Sequence, residues 1–165
     1  MKVREVMRQQ AVFCGLETTL ASAVELMRKT GCGFLPVVGE GANVIGVITD
    51  RDICIALGTR NQKPTDALVQ DVMLPEQYTF PKLFTCSPED DIRCVLKTMR
   101  MEKVRRIPVV DREGVLVGIL SMDEIVLRAT EHAEKSGISY RDVVDTYKAI
   151  CRHQELPTQR HPTAA

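Results

Sequence analysis

The chain has 165 residues, enough for one compact domain or two small intertwined ones, and its 44% hydrophobic and 27% charged content is that of a soluble globular protein with a core. Its 22 basic and 22 acidic residues cancel, and only 4% of residues are aromatic with no Trp, which argues against a nucleic-acid partner, an anionic membrane surface or a base-stacking platform. No run approaches the ~20 apolar residues of a membrane span, and the opening MKVREVMRQQ lacks an apolar signal core, so a cytoplasmic protein with no membrane partner is expected.

In chain order, VREVM at 3–7 is the first patterned stretch. Leu20, Val24 and Met27 then fall at helical spacing, and Gly31 ends that helix. An apolar run at 34–38, a turn at 39–43 and a second run at 44–48 read as an antiparallel hairpin rich in β-branched residues. Thr49 caps a helix over 49–58. The series then returns. VQDVM at 69–73 repeats VREVM at an offset of 66, and Cys14, Met27, Pro36, Gly46 and Ile53 recur as Cys86, Met99, Pro108, Gly118 and Ile125 at an offset of 72. A six-residue insertion therefore falls in the second copy, within LPEQYTFPKLF. In that copy Ser87 is the expected N-cap, Pro88 the first helical residue and Asp90 the closing acid. Ile92, Val95, Leu96 and Met99 share one face, the hairpin runs are 106–110 and 115–120 around a turn at 111–114, and Ser121 caps a helix over 121–134.

After residue 137, Ser139 with Asp142 forms a capping box, and Tyr140, Val143, Val144, Tyr147 and Ile150 make a short amphipathic helix. That helix is either a lid on this domain or a contact with a second chain. The polar, Pro-containing end is expected to be disordered. The organisation predicted is a first repeat at 1–62, a second at 63–135, a helix at 136–153 and a tail at 154–165. Each repeat is β-α-β-β-α, an α/β (α+β) fold. Two copies are too few for a solenoid and suit a pseudo-two-fold pair.

The six Cys (14, 32, 54, 86, 94, 151) contain no CxxC and read as small buried hydrophobes, and the three His lie in the C-terminal fifth, so no metal set is expected. The Met residues at 7, 27, 73, 99, 101 and 122 sit mostly at repeat-equivalent helical positions and read as packing. There is no Ser/His/Asp or Cys/His set and no GxxxxGK loop, so no enzyme is expected.

FLPVVGEGANVIGVITDRDI and RRIPVVDREGVLVGILSMDEI, each after an amphipathic helix with a central Met, resemble tandem CBS domains, named for cystathionine β-synthase; the resemblance covers about residues 1 to 130. It implies a Bateman module, two β-α-β-β-α units packed pseudo-two-fold through their sheets, a regulatory pair whose inter-repeat clefts often bind AMP, ADP or ATP, less often S-adenosylmethionine, with no other cofactor. It also implies that the Asp of one repeat works with the first-strand Thr and the pre-Pro strand of the other. One site would then combine Val47, Ile48, Thr49 and Asp52 with Thr85, Arg105, Arg106, Ile107 and Pro108. The other would combine Ser121 and Glu124 with Phe13, Phe34, Leu35 and Pro36; there Glu replaces Asp, Phe13 replaces Thr, and GCGF leaves no positive charge, so it is expected to be empty, weak or specific for an uncharged ligand.

The residue types suit a nucleotide. A carboxylate accepts from both hydroxyls of a ribose, a helix N-terminus favours a phosphate, and Lys103, Arg105 and Arg106 offer it cations. Each feature has a plainer reading as well. Thr49 and Asp52 are a complete helix cap, and Arg105 and Arg106 are equally a solvated edge facing Glu102, Asp111 or Glu113. The corresponding alternative for the whole chain is a ligand-free dimerisation scaffold acting on a separate target protein. A C2 homodimer is expected, with Ala23, Met27, Val95 and Met99 against the mate.

Overall fold

A computed structural model of the chain describes residues 1–73, 83–133 and 137–152. The expected tail at 154–165 and most of the expected insertion lie outside those residues. After a 3₁₀ turn at Val3–Glu5 come β1 (Cys14–Gly15), α1 (Leu20–Thr30), β2 (Phe34–Val38), β3 (Val44–Thr49) and α2 (Asp50–Arg60). Then follow α3 (Val69–Met73), α4 (Ile92–Glu102), β4 (Arg106–Val110), β5 (Leu116–Ser121), α5 (Met122–Arg128) and α6 (Tyr140–Cys151).

The β-α-β-β-α unit is complete in the first repeat, where β1 pairs parallel with β2 and β2 antiparallel with β3. In the second repeat the first strand shrinks to a single bridge, Cys86 beside Val109, and β4 pairs with β5 alone. The two hairpins keep one register down to its irregularity. Each ladder shifts at equivalent positions, between Val37 and Val38 and between Val109 and Val110.

Helix ends follow local chemistry, except where a distant segment intervenes. The Thr19 hydroxyl accepts from Ser22 N, and Gly31 closes α1 in the left-handed region at φ 63°, which glycine adopts without a Cβ penalty. The buried stripe of α1 is Leu20, Ala23 and Met27, so Val24 falls at its edge and is exposed, contrary to expectation. The second repeat's helix starts at Ile92 with Asp91 as its cap, not at Ser87. Residues 87–90 form a separate turn, in which Ser87 N donates to Asp90 Oδ2 and Pro88 gives its carbonyl to Arg4 N. The chain's own start thus occupies the backbone that the helix would have used. The last helix of the second repeat also stops early, at Arg128, because Thr130 pairs with Ser139 instead.

The opening segments are exchanged between repeats. Val3 N donates to Asp90 O at 3.0 Å, and Val3 and Val6 are buried with Ile92, Leu96, Met99 and Ile107 of the second repeat. Conversely Val69 N donates to Thr18 O at 2.9 Å, and Val69 is buried with Leu20, Met27, Leu35 and Ile48 of the first. Met73 covers Gly46 and Met7 covers Gly118, the same contact made twice.

Helix α6 lies on its own chain, mainly along α4 and secondarily on α5. Its Ser139–Asp142 capping box forms, and Val143, Thr146 and Ile150 are buried, whereas Tyr140 and Val144 of the expected apolar face are exposed. Arg100 grips the helix: Nε donates to Thr146 Oγ1 at 2.7 Å and Nη2 to the Asp142 carbonyl at 3.0 Å. Hydrogen bonds from Ser139, and then the charges of Arg100 and Arg93, hold the Asp142 carboxyl below the usual carboxylate range. Ala23, Met27, Val95 and Met99 are buried within the chain's own two cores and so present no face to a symmetric mate, which corrects that expectation.

The cysteine expectation holds for two of the six. Cys14 and Cys86 are buried, and burial pushes their thiols up to about 11 and about 12, with Asp90 adding to the second. Cys54, Cys94 and Cys151 are exposed, Cys32 is half-buried, and all six are free thiols. Gly58 in α2 has nothing within 4 Å of where a Cβ would sit. Gly58→Ala is therefore expected to stabilise the protein by about 0.5–1 kcal/mol, read as a thermal midpoint roughly 2–3 °C higher.

Candidate functional site

Strand alternation divides the candidate residues into two sets. Across β2 and β3, Phe34 faces Thr49, Leu35 faces Ile48, and Pro36 faces Val47; across β4 and β5, Arg106 faces Ser121 and Ile107 faces Leu120. Leu35, Ile48 and Ile107 are each 1% exposed and point into the cores, so they offer a ligand only backbone. Phe34, Pro36, Val47 and Thr49 lie on the opposite face of the first sheet, and Arg106, Pro108 and Ser121 on the opposite face of the second.

Thr49 caps α2 and Asp52 closes the box. Thr49 Oγ1 and N donate to Asp52 Oδ2 at 2.6 and 2.9 Å, and Asp52 N donates back to Thr49 Oγ1 at 3.2 Å. All three bonds use one edge of the motif. Oδ1 of Asp52 makes no hydrogen bond with any described residue, and the side chain is exposed. The cap therefore fixes the rotamer of a carboxylate that still presents an acceptor to solvent, at a helix end that carries partial positive charge.

The equivalent residues of the second repeat behave differently. Ser121 Oγ still accepts from Glu124 N at 3.2 Å, but no bond returns from the Glu124 carboxylate to the cap. The longer side chain turns instead to Arg8, whose Nε lies 3.5 Å from Glu124 Oε1. Arg8 is held there by paired backbone bonds with Ile119, 2.9 Å in each direction. The expectation that this half carries no positive charge is thereby corrected: the cation arrives from the N-terminal segment. A cavity of about 570 Å³ beside it is lined by Arg8, Gln9, Gln10, Val12 and Thr30, none of which a motif marks in the sequence. The available signal was RQQ at 8–10, which has no counterpart in the LPE that follows VQDVM.

Among the remaining candidates, Thr85 is exposed and directly precedes Cys86, whose N donates to the Pro108 carbonyl at 3.1 Å, so Thr85 sits alongside the pre-Pro strand. Arg106 reaches Asp123 Oδ2 at 3.4 Å, a long contact, and Arg105 is exposed with no ion pair among the described residues. Asp123 is not one of the acids expected to face this pair. Lys103 is committed elsewhere, donating to the Arg152 carbonyl at 2.9 Å at the end of α6. Phe13 is 48% exposed. The two repeats meet at their hairpin tips, where Val44 N donates to Gly114 O at 3.2 Å and Asn43 bridges Val115. No hydrogen bond or ion pair among the described residues links Thr49 or Asp52 to Thr85, Arg105 or Arg106. Among the described residues no group of three or more His, Cys, Asp or Glu is placed to hold a metal, and no helix is long and apolar enough to cross a membrane.

The family model described as CBS domain matches residues 3–59 and 69–131. Hypoxic response protein 1 of Mycobacterium tuberculosis is 29% identical over 153 residues, which cover 93% of this chain and 96% of that protein. An uncharacterized protein of Methanopyrus kandleri is 28% identical over 126 residues, 76% of this chain and 61% of that protein, so the chain matches under two thirds of that relative's length. A crystal structure of Hypoxic Response Protein I with two coordinated zinc ions has a TM-score of 0.68 and 26% identity, covering 79% of this chain and 100% of that one. A crystal structure of CBSX2 in complex with AMP has a TM-score of 0.63 and 26% identity, covering 76% and 93% respectively.

Proposed function

The chain belongs to the CBS domain family, and from that premise we propose that it is a non-catalytic regulatory module that binds one adenine nucleotide in the cleft between its repeats. The ligand is AMP, ADP or ATP. Asp52 takes the ribose hydroxyls, the backbone around Ile107 and Pro108 reads the base, and Arg105 and Arg106 take the phosphate. Ligand occupancy is passed to a separate target protein.

One observation carries this reading. The two repeats hold equivalent acids differently: Asp52 is fixed by its own cap with Oδ1 open, whereas Glu124 takes no bond from its cap and faces Arg8 at 3.5 Å. A ligand-free scaffold has no use for that difference, nor for the half-buried Arg106 on a loose 3.4 Å contact. The AMP complex of CBSX2, at 26% identity, lends support from outside the chain. The scaffold alternative draws on the complete capping box, which accounts for Thr49 and Asp52 by itself.

Calorimetric titration of the wild type and Arg106→Ala with AMP and with adenosine separates the two. The expected result is that Arg106→Ala lowers AMP affinity about tenfold, the size of a charge-assisted phosphate contact, and leaves adenosine unchanged. Equal losses for both ligands remove Arg106 from the phosphate role. No binding of either ligand to the wild type leaves the scaffold.

A further inference from the structure

Arg106 stands at the start of β4 opposite Ser121, and its one ion pair among the described residues is with Asp123, Nη2 to Oδ2 at 3.4 Å. Arg106 is 31% exposed and Asp123 68%, so the acid can swing into water at little cost while the guanidinium stays beside the strand. The pair does not belong to the repeated fold, since at the repeat offset Arg106 becomes Phe34 and Asp123 becomes Arg51. Nor does α5 need this acid for its cap, which Ser121 Oγ makes with Glu124 N. Half-buried Tyr147 of α6 feels both partners. Burial and then Asp123 hold its hydroxyl above the usual tyrosine range, while Arg105 and Arg106 pull the other way. Of the three cations around the start of β4, Lys103 is committed to the Arg152 carbonyl, Arg105 is open, and Arg106 is held by an anion that leaves easily.

We infer that Asp123 is an internal counter-anion for the phosphate subsite: it occupies Arg106 until a ligand phosphate replaces it, and so limits how strongly the cleft prefers a phosphorylated nucleoside to an uncharged one. The inference rests on the nucleotide reading of that cleft. A phosphate carries more charge than a carboxylate and offers the guanidinium three oxygens, so it wins the exchange once the nucleoside is seated. The displaced carboxylate is left in solvent near Tyr147, and occupancy thereby alters the surface charge where α5 meets α6.

The test is calorimetric titration of the full-length wild type, Asp123→Asn, Arg106→Ala and the double variant with AMP and with adenosine. Asp123→Asn keeps the size of the side chain and removes its charge. It is expected to raise AMP affinity about three- to fivefold, the scale of an exposed ion pair, and to leave adenosine unchanged. With Arg106 already replaced by alanine, the same substitution is expected to gain less than about twofold. An AMP affinity that is unchanged or lower in Asp123→Asn overturns the inference and leaves the nucleotide reading standing; a lower one makes Asp123 a residue that positions Arg106. An equal gain in the Arg106→Ala background also overturns it, because Asp123 then acts on the phosphate directly. AMP binding to none of the four proteins overturns the nucleotide reading and the inference with it.

Discussion

Asp52→Ala is expected to weaken AMP binding about 10- to 150-fold, the loss of a charge-assisted contact worth roughly 1.5–3 kcal/mol. The structure adds a cost to folding, because Asp52 also closes the cap of α2 by accepting from Thr49 N at 2.9 Å. That loss is about 0.5–1 kcal/mol, a few degrees in thermal midpoint, and leaves the protein folded at the temperature of a titration. Asp52→Asn separates the two effects. Its amide oxygen still accepts from Thr49 N, so stability is retained, while the charge that strengthens the ribose bonds is gone. Glu124→Ala is the matched control. Its carboxylate already faces Arg8, and AMP affinity is expected to stay within about twofold of wild type. Equal losses in Asp52→Ala and Glu124→Ala, measured by calorimetry, contradict the unequal-site account.

Gly118→Ala has the largest expected effect on folding. A Cβ there would lie 2.7 Å from the Arg8 carbonyl oxygen and 3.2 Å from Met7 Sδ. The nearer obstacle is backbone, so residues 7 and 8 must move, and the two 2.9 Å bonds between Arg8 and Ile119 stretch or break. Val3 and Val6, buried in the second repeat's core, are tethered through the same segment. At about 1 kcal/mol per hydrogen bond plus some loosening of the core, the expected cost is roughly 2–3 kcal/mol, a midpoint lower by about 5–10 °C. Gly46→Ala is the internal comparison. Its clash is with the flexible end of the Met73 side chain, which can turn aside, so a smaller loss is expected. A Gly118→Ala protein as stable as the wild type would mean that the N-terminal segment is not pinned to β5.

What the sequence revealed and what it concealed divide by range. Thr49, Ser121 and Ser139 were legible as caps because each is a hydroxyl with an acid three residues later, a signal contained within one turn. The hairpins were legible because Pro-Val-Val and its partner run recur in register. The start of α4 was misplaced for a reason outside its own sequence: Pro88 gives its carbonyl to Arg4, far away in the chain. VREVM and VQDVM are legible as a repeated stretch, but nothing local says which repeat's core each one enters. The candidate site divides the same way. The Thr49–Asp52 unit is local and legible as a cap, whereas the Arg8–Glu124 pair depends on the exchange of opening segments. No spacing rule could have placed Arg8 there. Leu35, Ile48 and Ile107 were legible as strand residues, but which face each presents follows only from register, since a one-residue slip inverts the pattern.

The central claim is that one of the two repeat-equivalent acids, and only one, belongs to a working nucleotide site. The most direct measurement is the stoichiometry of AMP binding to the full-length wild-type protein by isothermal titration. The account predicts a single saturable class of one AMP per chain. Two equivalent sites per chain would contradict the division between Asp52 and Glu124, and the absence of any saturable AMP binding would return Thr49 and Asp52 to capping α2 alone.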